Sequence, residues 1–505
     1  MEAPRRQFLK GLAATLGFGA LGGYGRLFAA PPGWKPGHKP KLVFGVISDT
    51  HLISSRRMRE EMMWTRTRHP FINEKGSPDK YLVSALEYFR ERNVDAVMHC
   101  GDMADQGLVS EMEWTAAAWR RVFPGNRAPD GHEIVKLFVT GNHDVEGMWR
   151  VQRDYPDAAE RARRMLNTDM AGHWERIWGE PFEDVWHKEV KGCHFFGRNF
   201  GEENKAKFAQ LLAAANARFR LGEGTRPFFI ASHTGYAGRV NKEYRKSLQA
   251  NLANAVAFFG HHHWSLANWN RVYFDIRSDV PEIQCPPCSC SFGAPLKDSD
   301  SYIVPVRIEE TAQVGMARQG LVVSVFDDCV LFERRDFNIP GGSLGAKWVM
   351  PLDWKRIGYE HPLSKGELNK VIGKPQFPKG AKLTIELSRA ETQRRREGED
   401  ENSAPARLRV RIPLADGNPD SRVYAYEIVV VGDAGMPKLR KAIYACGCNL
   451  ASGTEPDGGA TTLEIPKSEL PPGKELTFAV RPLSSLGTAG KAIAAKCKKG
   501  KLYEV

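Results

Sequence analysis

Gly141-Asn142-His143-Asp144 closes the apolar run Leu137-Phe138-Val139, so an amide, an imidazole and a carboxylate stand together where a buried strand would end. Burying such groups bare costs on the order of several kcal/mol, so they must be paired or bound to something. The same grammar recurs four more times. Leu42 to Ser48 ends in Asp49-Thr50-His51, Ala96 to Cys100 in Gly101-Asp102, Phe228 to Ser232 in His233, and Ala255 to Phe259 in Gly260-His261-His262-His263. Each run is followed at once by a metal-capable side chain. Mixed imidazole and carboxylate donors suit Mn, Fe or Zn better than a Mg site built mainly of oxygen.

These residues need rigid elements to aim them. Short apolar runs bounded by turn residues read as buried strands, and in open α/β sheets ligands gather beyond the carboxyl ends of the strands. Five strands then aim at one cleft. Between them, Leu82, Ala85, Leu86 and Phe89 mark one helix face, Glu111 to Arg121 reads as a second helix, and Phe208, Leu211, Leu212, Ala215 and Phe219 mark a third. Cys193 to Gly197 reads as a further strand. Trp149, Trp174, Trp178 and Trp186 are read as core rather than substrate platform. The β-like runs Val272 to Ile276, Ile303 to Ile308 and Leu321 to Phe326 suit the second sheet of a sandwich whose first sheet carries the cleft.

Leu52 to Lys80 is longer than the roughly 12 to 15 residues beyond which a structureless loop is usually functional or disordered. It carries Arg56, Arg57 and Arg59, and reads either as a phosphate-gripping cover or as a solvated insertion.

Taken in order, Asp-x-His at 49 and 51, Gly-Asp at 102, Gly-Asn-His-Asp from 141, His233, and Gly-His-x-His ending at 263 resemble the calcineurin-like metallophosphoesterase superfamily over Lys41 to Arg335. The resemblance implies an α/β fold, a four-layer α-β-β-α sandwich. It implies two divalent or Fe/Mn/Zn-type ions, one held by Asp49, His51, Asp102 and His263, the other by Asp102, Asn142, His233 and His261, with Asp102 bridging. Such a pair lowers the pKa of a bridging water from about 15.7 toward about 7, and the implied reaction is attack of that metal-bridging hydroxide on a phosphate ester. His143 is implied to protonate the leaving oxygen or stabilise charge on it, with Asp144 orienting its ring. Alternate side chains of an extended segment point the same way, so His262 is given no ligand role. Purple acid phosphatases carry a ligating tyrosine three residues after the bridging aspartate. Here the sequence is Asp102-Met103-Ala104-Asp105, nearer the phosphodiesterase side, which favours diesters. A phosphomonoesterase, a nucleotide pyrophosphatase and a non-catalytic surface binding protein are the alternatives.

The chain's 505 residues exceed one ordinary core. Arg5-Arg6-Gln7-Phe8-Leu9-Lys10 followed by the apolar stretch Gly11 to Gly23 resembles a twin-arginine export signal, implying the twin-arginine machinery as a partner and a periplasmic or envelope location. Ala29-Ala30 offers a cleavage site that Leu27 and Phe28 spoil, so removal and retention as an anchor both stay open. The expected organisation is a signal segment at 1–30, a linker at 31–40, the catalytic domain at 41–340, a connecting segment at 341–374 and a β-sandwich at 375–505. That last region, short runs between turn formers, resembles a fibronectin type III or immunoglobulin-like domain. The net charge of +12 permits anionic partners, and a phosphate ester is the expected substrate, but no nucleic-acid-binding motif and no transmembrane bundle is seen. Nine cysteines leave at least one outside any intramolecular pair, and local disulfides or core thiols are both open readings.

Overall fold

The computed structural model describes residues 28–29, 37–54, 79–147, 151–221, 226–234, 255–263, 266, 272–275, 280–284, 308–309, 318–337, 342–344, 347–352, 374–388, 407–416, 423–432, 438–446, 460–484 and 489–498. Arg56, Arg57, Arg59, nearly all of the export-signal segment, the cysteines at 285, 288, 290 and 448, and the charged run 391–401 lie outside them. In chain order the elements are β1 (Phe28–Ala29), β2 (Leu42–Ile47), α1 (Lys80–Glu91), β3 (Ala96–Cys100), α2 (Val109–Val122), β4 (Val135–Val139), α3 (Asn142–Glu146), α4 (Val151–Asp154), α5 (Ala158–Arg164), α6 (Met170–Trp178), β5 (Val185–Val190), β6 (Cys193–Arg198), α7 (Asn204–Phe219), β7 (Phe228–Ser232), β8 (Ala255–Phe259), β9 (Val272–Asp275) and β10 (Val280–Gln284). Then follow β11 (Ile308–Glu309), β12 (Gln319–Val325), β13 (Cys329–Asp336), β14 (Gly342–Ser343), β15 (Trp348–Pro351), β16 (Thr384–Ser388), β17 (Arg407–Ile412), β18 (Val423–Gly432), β19 (Lys438–Tyr444), β20 (Thr461–Pro466), β21 (Glu475–Ser484) and β22 (Ile493–Lys498). Two compact units result, one holding β1–β10 and β12–β15, the other β11 and β16–β22.

The first unit has four layers. Its eight-stranded sheet runs β1-β15-β13-β12-β2-β3-β4 with β14 on β13, and its six-stranded sheet runs β5-β6-β7-β8-β10-β9. Strands β2, β3 and β4 are mutually parallel, as are β6, β7, β8 and β10, so their carboxyl ends collect together. The sheets meet through phenylalanines, with the Phe44 ring 5.2 Å from Phe195, 5.0 Å from Phe229 and 6.0 Å from Phe258. On the outer face of the first sheet, α1 buries Leu82, Ala85, Leu86 and Phe89, the spacing expected of one helix face, beside Trp119 of α2 and Trp174 and Trp178 of α6. On the outer face of the second, α7 contributes Phe208, Leu212 and Ala215 against Phe196, Phe228 and Ile230. Helix α2 begins before Glu111 because that buried carboxylate accepts the N–H groups of Gln106 and Leu108, filling the role of a cap.

The three β-like runs expected together in one sheet go three ways. β9 joins the six-stranded sheet, Ile308–Glu309 pairs with β19 in the other unit, and β12 lies between β2 and β13 in the sheet that carries Asp49. Every residue of β12 is buried, and a strand covered on both faces carries no alternation to say which sheet it joins. The segment 341–374, expected as a connection, supplies β14 and β15 to the eight-stranded sheet.

The second unit is all-β. A five-stranded sheet, β11-β19-β18-β21-β22, and a three-stranded one, β16-β17-β20, share a single apolar core. In β17, Leu408, Val410 and Ile412 are buried while Arg409 and Arg411 face solvent, as the strict alternation requires. Among the described residues of the chain, no helix is long and apolar enough to cross a membrane.

Phe44 is fully buried where the two sheets meet. Phe44→Ala should therefore cost about 3–5 kcal/mol, measured by chemical denaturation. A loss under about 1 kcal/mol would mean that the inter-sheet core does not depend on this ring.

Candidate metal centre

Each expected ligand follows a strand of the inner layers. Asp49 and His51 follow β2, Asp102 follows β3, Asn142 and His143 open α3 just after β4, His233 follows β7, and His261 and His263 follow β8. Beyond its end β2 continues along the next loop, with N–H bonds from Asp49 to Gly101 O at 2.9 Å and from His51 to Asp102 O at 3.0 Å. The backbone is bent hard here. Asp49, His51, Asp102, His261 and His263 all have positive φ, five of the nine non-glycine residues that do so among those described. Such φ values are uncommon outside glycine and mark sites where strain is held in place by surrounding structure. Two glycines make the close approach possible. A Cβ on Gly141 would stand 2.1 Å from Asp102 Oδ1, and one on Gly260 would stand 2.5 Å from Asp49 Oδ2.

The donors fall into two groups. In the first, His51 Nε2 lies 3.0 Å from His263 Nε2, and Asp49 Oδ1 lies 3.3 Å from His263 Nε2. In the second, His233 Nε2 lies 3.1 Å from Asp102 Oδ2 and 3.0 Å from Asn142 Oδ1, and His261 Nδ1 lies 3.1 Å from Asn142 Oδ1. Asp102 joins them, its Oδ2 being 3.6 Å from His51 Nε2. Donors that share one ion at about 2.0–2.2 Å stand about 3.0–3.6 Å apart, so both groups have the spacing of a metal's ligand shell. Asp49, His51, Asp102, His233 and His263 are buried, and His261 is exposed. His262, also exposed, belongs to neither group.

Fixed tautomers point the same way. His233 Nδ1 donates to the Cys100 carbonyl at 2.9 Å, so in the neutral ring Nε2 turns a lone pair on the oxygens of Asp102 and Asn142. Three electron-rich atoms in contact need a cation between them, either a proton or a metal ion. With no metal present, burial opposes charge on His233, but the Asp102 carboxylate outweighs it and carries the imidazole up to about 9. Burial also works against ionised Asp49 and Asp102, yet the neighbouring imidazoles hold both carboxyls well below the usual range. His51 Nδ1 lies 3.2 Å from Asp105 Oδ1, which turns Nε2 toward the first group, and burial with the nearby His143 lowers His51 to about 4.

Asp144 does not orient His143. Adjacent residues in a helical turn point about 100° apart and do not face each other. The His143 ring instead donates from Nδ1 to the backbone carbonyl of Asp105 at 2.7 Å. Asp144 accepts the N–H groups of Gly141 and Ala104, each at 2.8 Å, tying the Asp102 loop to the start of α3. Burial and the neighbouring Asp102 charge push Asp144 up to about 6. Asp105, not assigned a role from the motifs, thus belongs to the site, and its spacing three after Asp102 is its signal in the sequence.

Residues 42–265 match the family of calcineurin-like phosphoesterases. The chain contains a calcineurin-like phosphoesterase domain. No curated protein matches the chain. Among solved structures, it is similar to a conserved uncharacterized protein, a predicted phosphoesterase, from Streptococcus pneumoniae TIGR4, at 12% identity over 61% of this chain and 97% of that one, with a TM-score of 0.23. It is also similar to Vps29 complexed with zinc from Entamoeba histolytica, at 9% identity over 62% of this chain and 99% of that one, with a TM-score of 0.27. A third is Vacuolar Protein Sorting 29 from Cryptosporidium parvum, at 10% identity over 61% and 95%, with a TM-score of 0.25. In the phosphoesterase domain the donor set and its spacing fit divalent metal binding.

The metal-free domain should carry a pH signature. His233 is raised to about 9 from an ordinary 6.5, so its stabilising charge is fully present below about pH 6.5 and is lost as pH rises through about 9. His51, His99 and His261, lowered to about 4, 3 and 4, stay neutral across that window. Tm of EDTA-treated protein should fall between pH 6.5 and 9.5, and saturating Mn should flatten the curve by replacing the proton. A flat curve without metal would contradict the His233–Asp102 pairing.

Proposed function

We propose that the chain is an exported phosphoesterase hydrolysing a phosphate ester, with diesters favoured, at a dinuclear metal site. The observation that carries this reading is the sharing of Asp102. One group of metal-capable donors contains Asp49, His51 and His263, another contains Asp102, His233 and His261, and a third joins Asp102 to His51 and His143. Asp49, His51, Asp102 and His263 would hold one ion, and Asp102, Asn142, His233 and His261 the other. When bound, two such ions supply positive charge that activates water and offsets charge growing on the phosphoryl oxygens.

The chain's own part is to hold geometry and move a proton. His143 is tied at Nδ1 by the Asp105 carbonyl, so Nε2 is the nitrogen that can give a proton to the leaving oxygen. Asp144 keeps the start of α3 against the Asp102 loop, and so keeps His143 beside the ligands. The preference for diesters rests on Asp105 in Asp102-Met103-Ala104-Asp105, where purple acid phosphatases have a tyrosine. Arg56, Arg57 and Arg59 are proposed as phosphate-binding cations. The leader containing Arg5-Arg6 is proposed to send the folded domain through the twin-arginine machinery to the periplasm or envelope, with a fibronectin type III-like sandwich as spacer or anchor.

Asp102→Asn should abolish hydrolysis of bis(p-nitrophenyl) phosphate and lower Mn content together, since one carboxylate serves both groups. Parent-level activity in that variant would rule out a shared ligand, and Mn-loaded parent protein that binds metal but hydrolyses no ester would favour a binding protein. His143→Ala should behave otherwise, with kcat falling by about 10² to 10⁴ while metal content stays at the parent value. The deficit should be larger on an alkyl ester than on a nitrophenyl ester, because a poor leaving group needs the proton more. Loss of metal in this variant would make His143 a ligand.

A further inference from the structure

His99 interrupts the apolar run of β3, Ala96-Val97-Met98-His99-Cys100, and is 2% exposed. Its Nε2 lies 3.1 Å from Thr50 Oγ1, and the same hydroxyl lies 3.2 Å from the carbonyl oxygen of Met103. A hydroxyl has one hydrogen, so if it is given to Met103 the Thr50 oxygen is an acceptor and His99 must be the donor. A neutral ring protonated at Nε2 has a bare Nδ1, and His99 Nδ1 is buried with no hydrogen-bond partner. An orphaned buried nitrogen is destabilising, and an apolar side chain of similar size would not carry that penalty.

Thr50 explains what that cost supports. It stands between Asp49 and His51, whose φ values are 50° and 46°, and its hydroxyl is a side-chain tie from their turn to the loop bearing Asp102. We propose that His99 is a positioning residue, which through Thr50 locks the Asp49–His51 turn against the Asp102–Met103 loop at the expense of core stability. The proposal rests on the reading that Asp49 and His51 hold an ion.

The test uses the full chain with His99→Leu, His99→Gln and Thr50→Val, and three readouts: Mn affinity by calorimetry, Tm of EDTA-treated protein, and hydrogen exchange of the peptide spanning Ser48 to Leu52. His99→Leu should keep or raise Tm while weakening Mn binding by about 10- to 100-fold and speeding exchange, as for residues that orient ligands from outside the shell. Thr50→Val should match it in affinity and exchange, and the double variant should be no worse than either. His99→Gln, whose amide can still donate to Thr50, should recover most of the affinity. Unchanged affinity and exchange in His99→Leu would overturn the proposal. So would equal losses of Tm and affinity in the leucine and glutamine variants, the mark of simple packing. If the parent protein bound no Mn, the metal reading would fall, while exchange at Ser48 to Leu52 would still decide whether His99 holds the turn.

Discussion

The site depends on the burial of one carboxylate. Asp102 is 1% exposed, and a buried anion without compensating charge is among the most destabilising features that a fold can carry. Its Oδ1 accepts the His143 N–H at 2.9 Å, which fixes α3 to the end of β3. Its Oδ2 faces His233 from the opposite sheet at 3.1 Å and His51 from the neighbouring strand at 3.6 Å. Charge balance at this one oxygen therefore ties together elements of both sheets. Asp49 repeats the pattern on the other side, accepting the His261 N–H at 3.0 Å while facing His263.

Satisfying these carboxylates takes a backbone that local preferences oppose. Five of the candidate metal-binding residues sit at positive φ, and glycine is required where the β4 and β8 ends pass close to Asp102 and Asp49. That much local strain persists only where rigid surroundings over-determine it. The surroundings here are the phenylalanine seam around Phe44 and the hydrogen bonds that carry β2 onward along the Asp102 loop. Chains whose local and global preferences otherwise agree tend to break the rule at functional sites, and the strand ends of this domain follow that pattern.

Much of this was legible in the residues. The strands that precede the candidate ligands are short apolar runs stopped by polar groups, and the α1 and α7 faces follow helical spacing, so β2, β3, β4, β7, β8 and both helices could be read directly. Sheet membership could not. A strand buried on both faces, such as β12, looks the same in either sheet, and the two-residue β11 is defined only by its partner β19. β19 and β22 carry no clear strand pattern because lysines and an arginine dilute their apolar residues, as in Lys438-Leu439-Arg440-Lys441 and Ala495-Lys496-Cys497-Lys498. In β22 the alternation survives only as partial burial of Ile493, Ala495 and Cys497, the mark of an edge strand with weak patterning.

The two acids near His143 show where adjacency in sequence misleads. Asp144 is the next residue, but a helical turn rotates it away from the ring, and its oxygens accept the Gly141 N–H at the start of α3 and the Ala104 N–H in the loop after β3. Asp105 is 38 positions from His143, yet the loop after β3 folds back against Leu52, with Asp105 N–H donating to Leu52 O at 3.1 Å. That return places its carbonyl on His143 and its carboxylate beside His51. One residue can then set which nitrogen of the proposed acid and which nitrogen of a proposed ligand face the site. The spacing Asp-x-x-Asp was visible all along, but its meaning depended on where the loop turned, which only long-range backbone pairing decides.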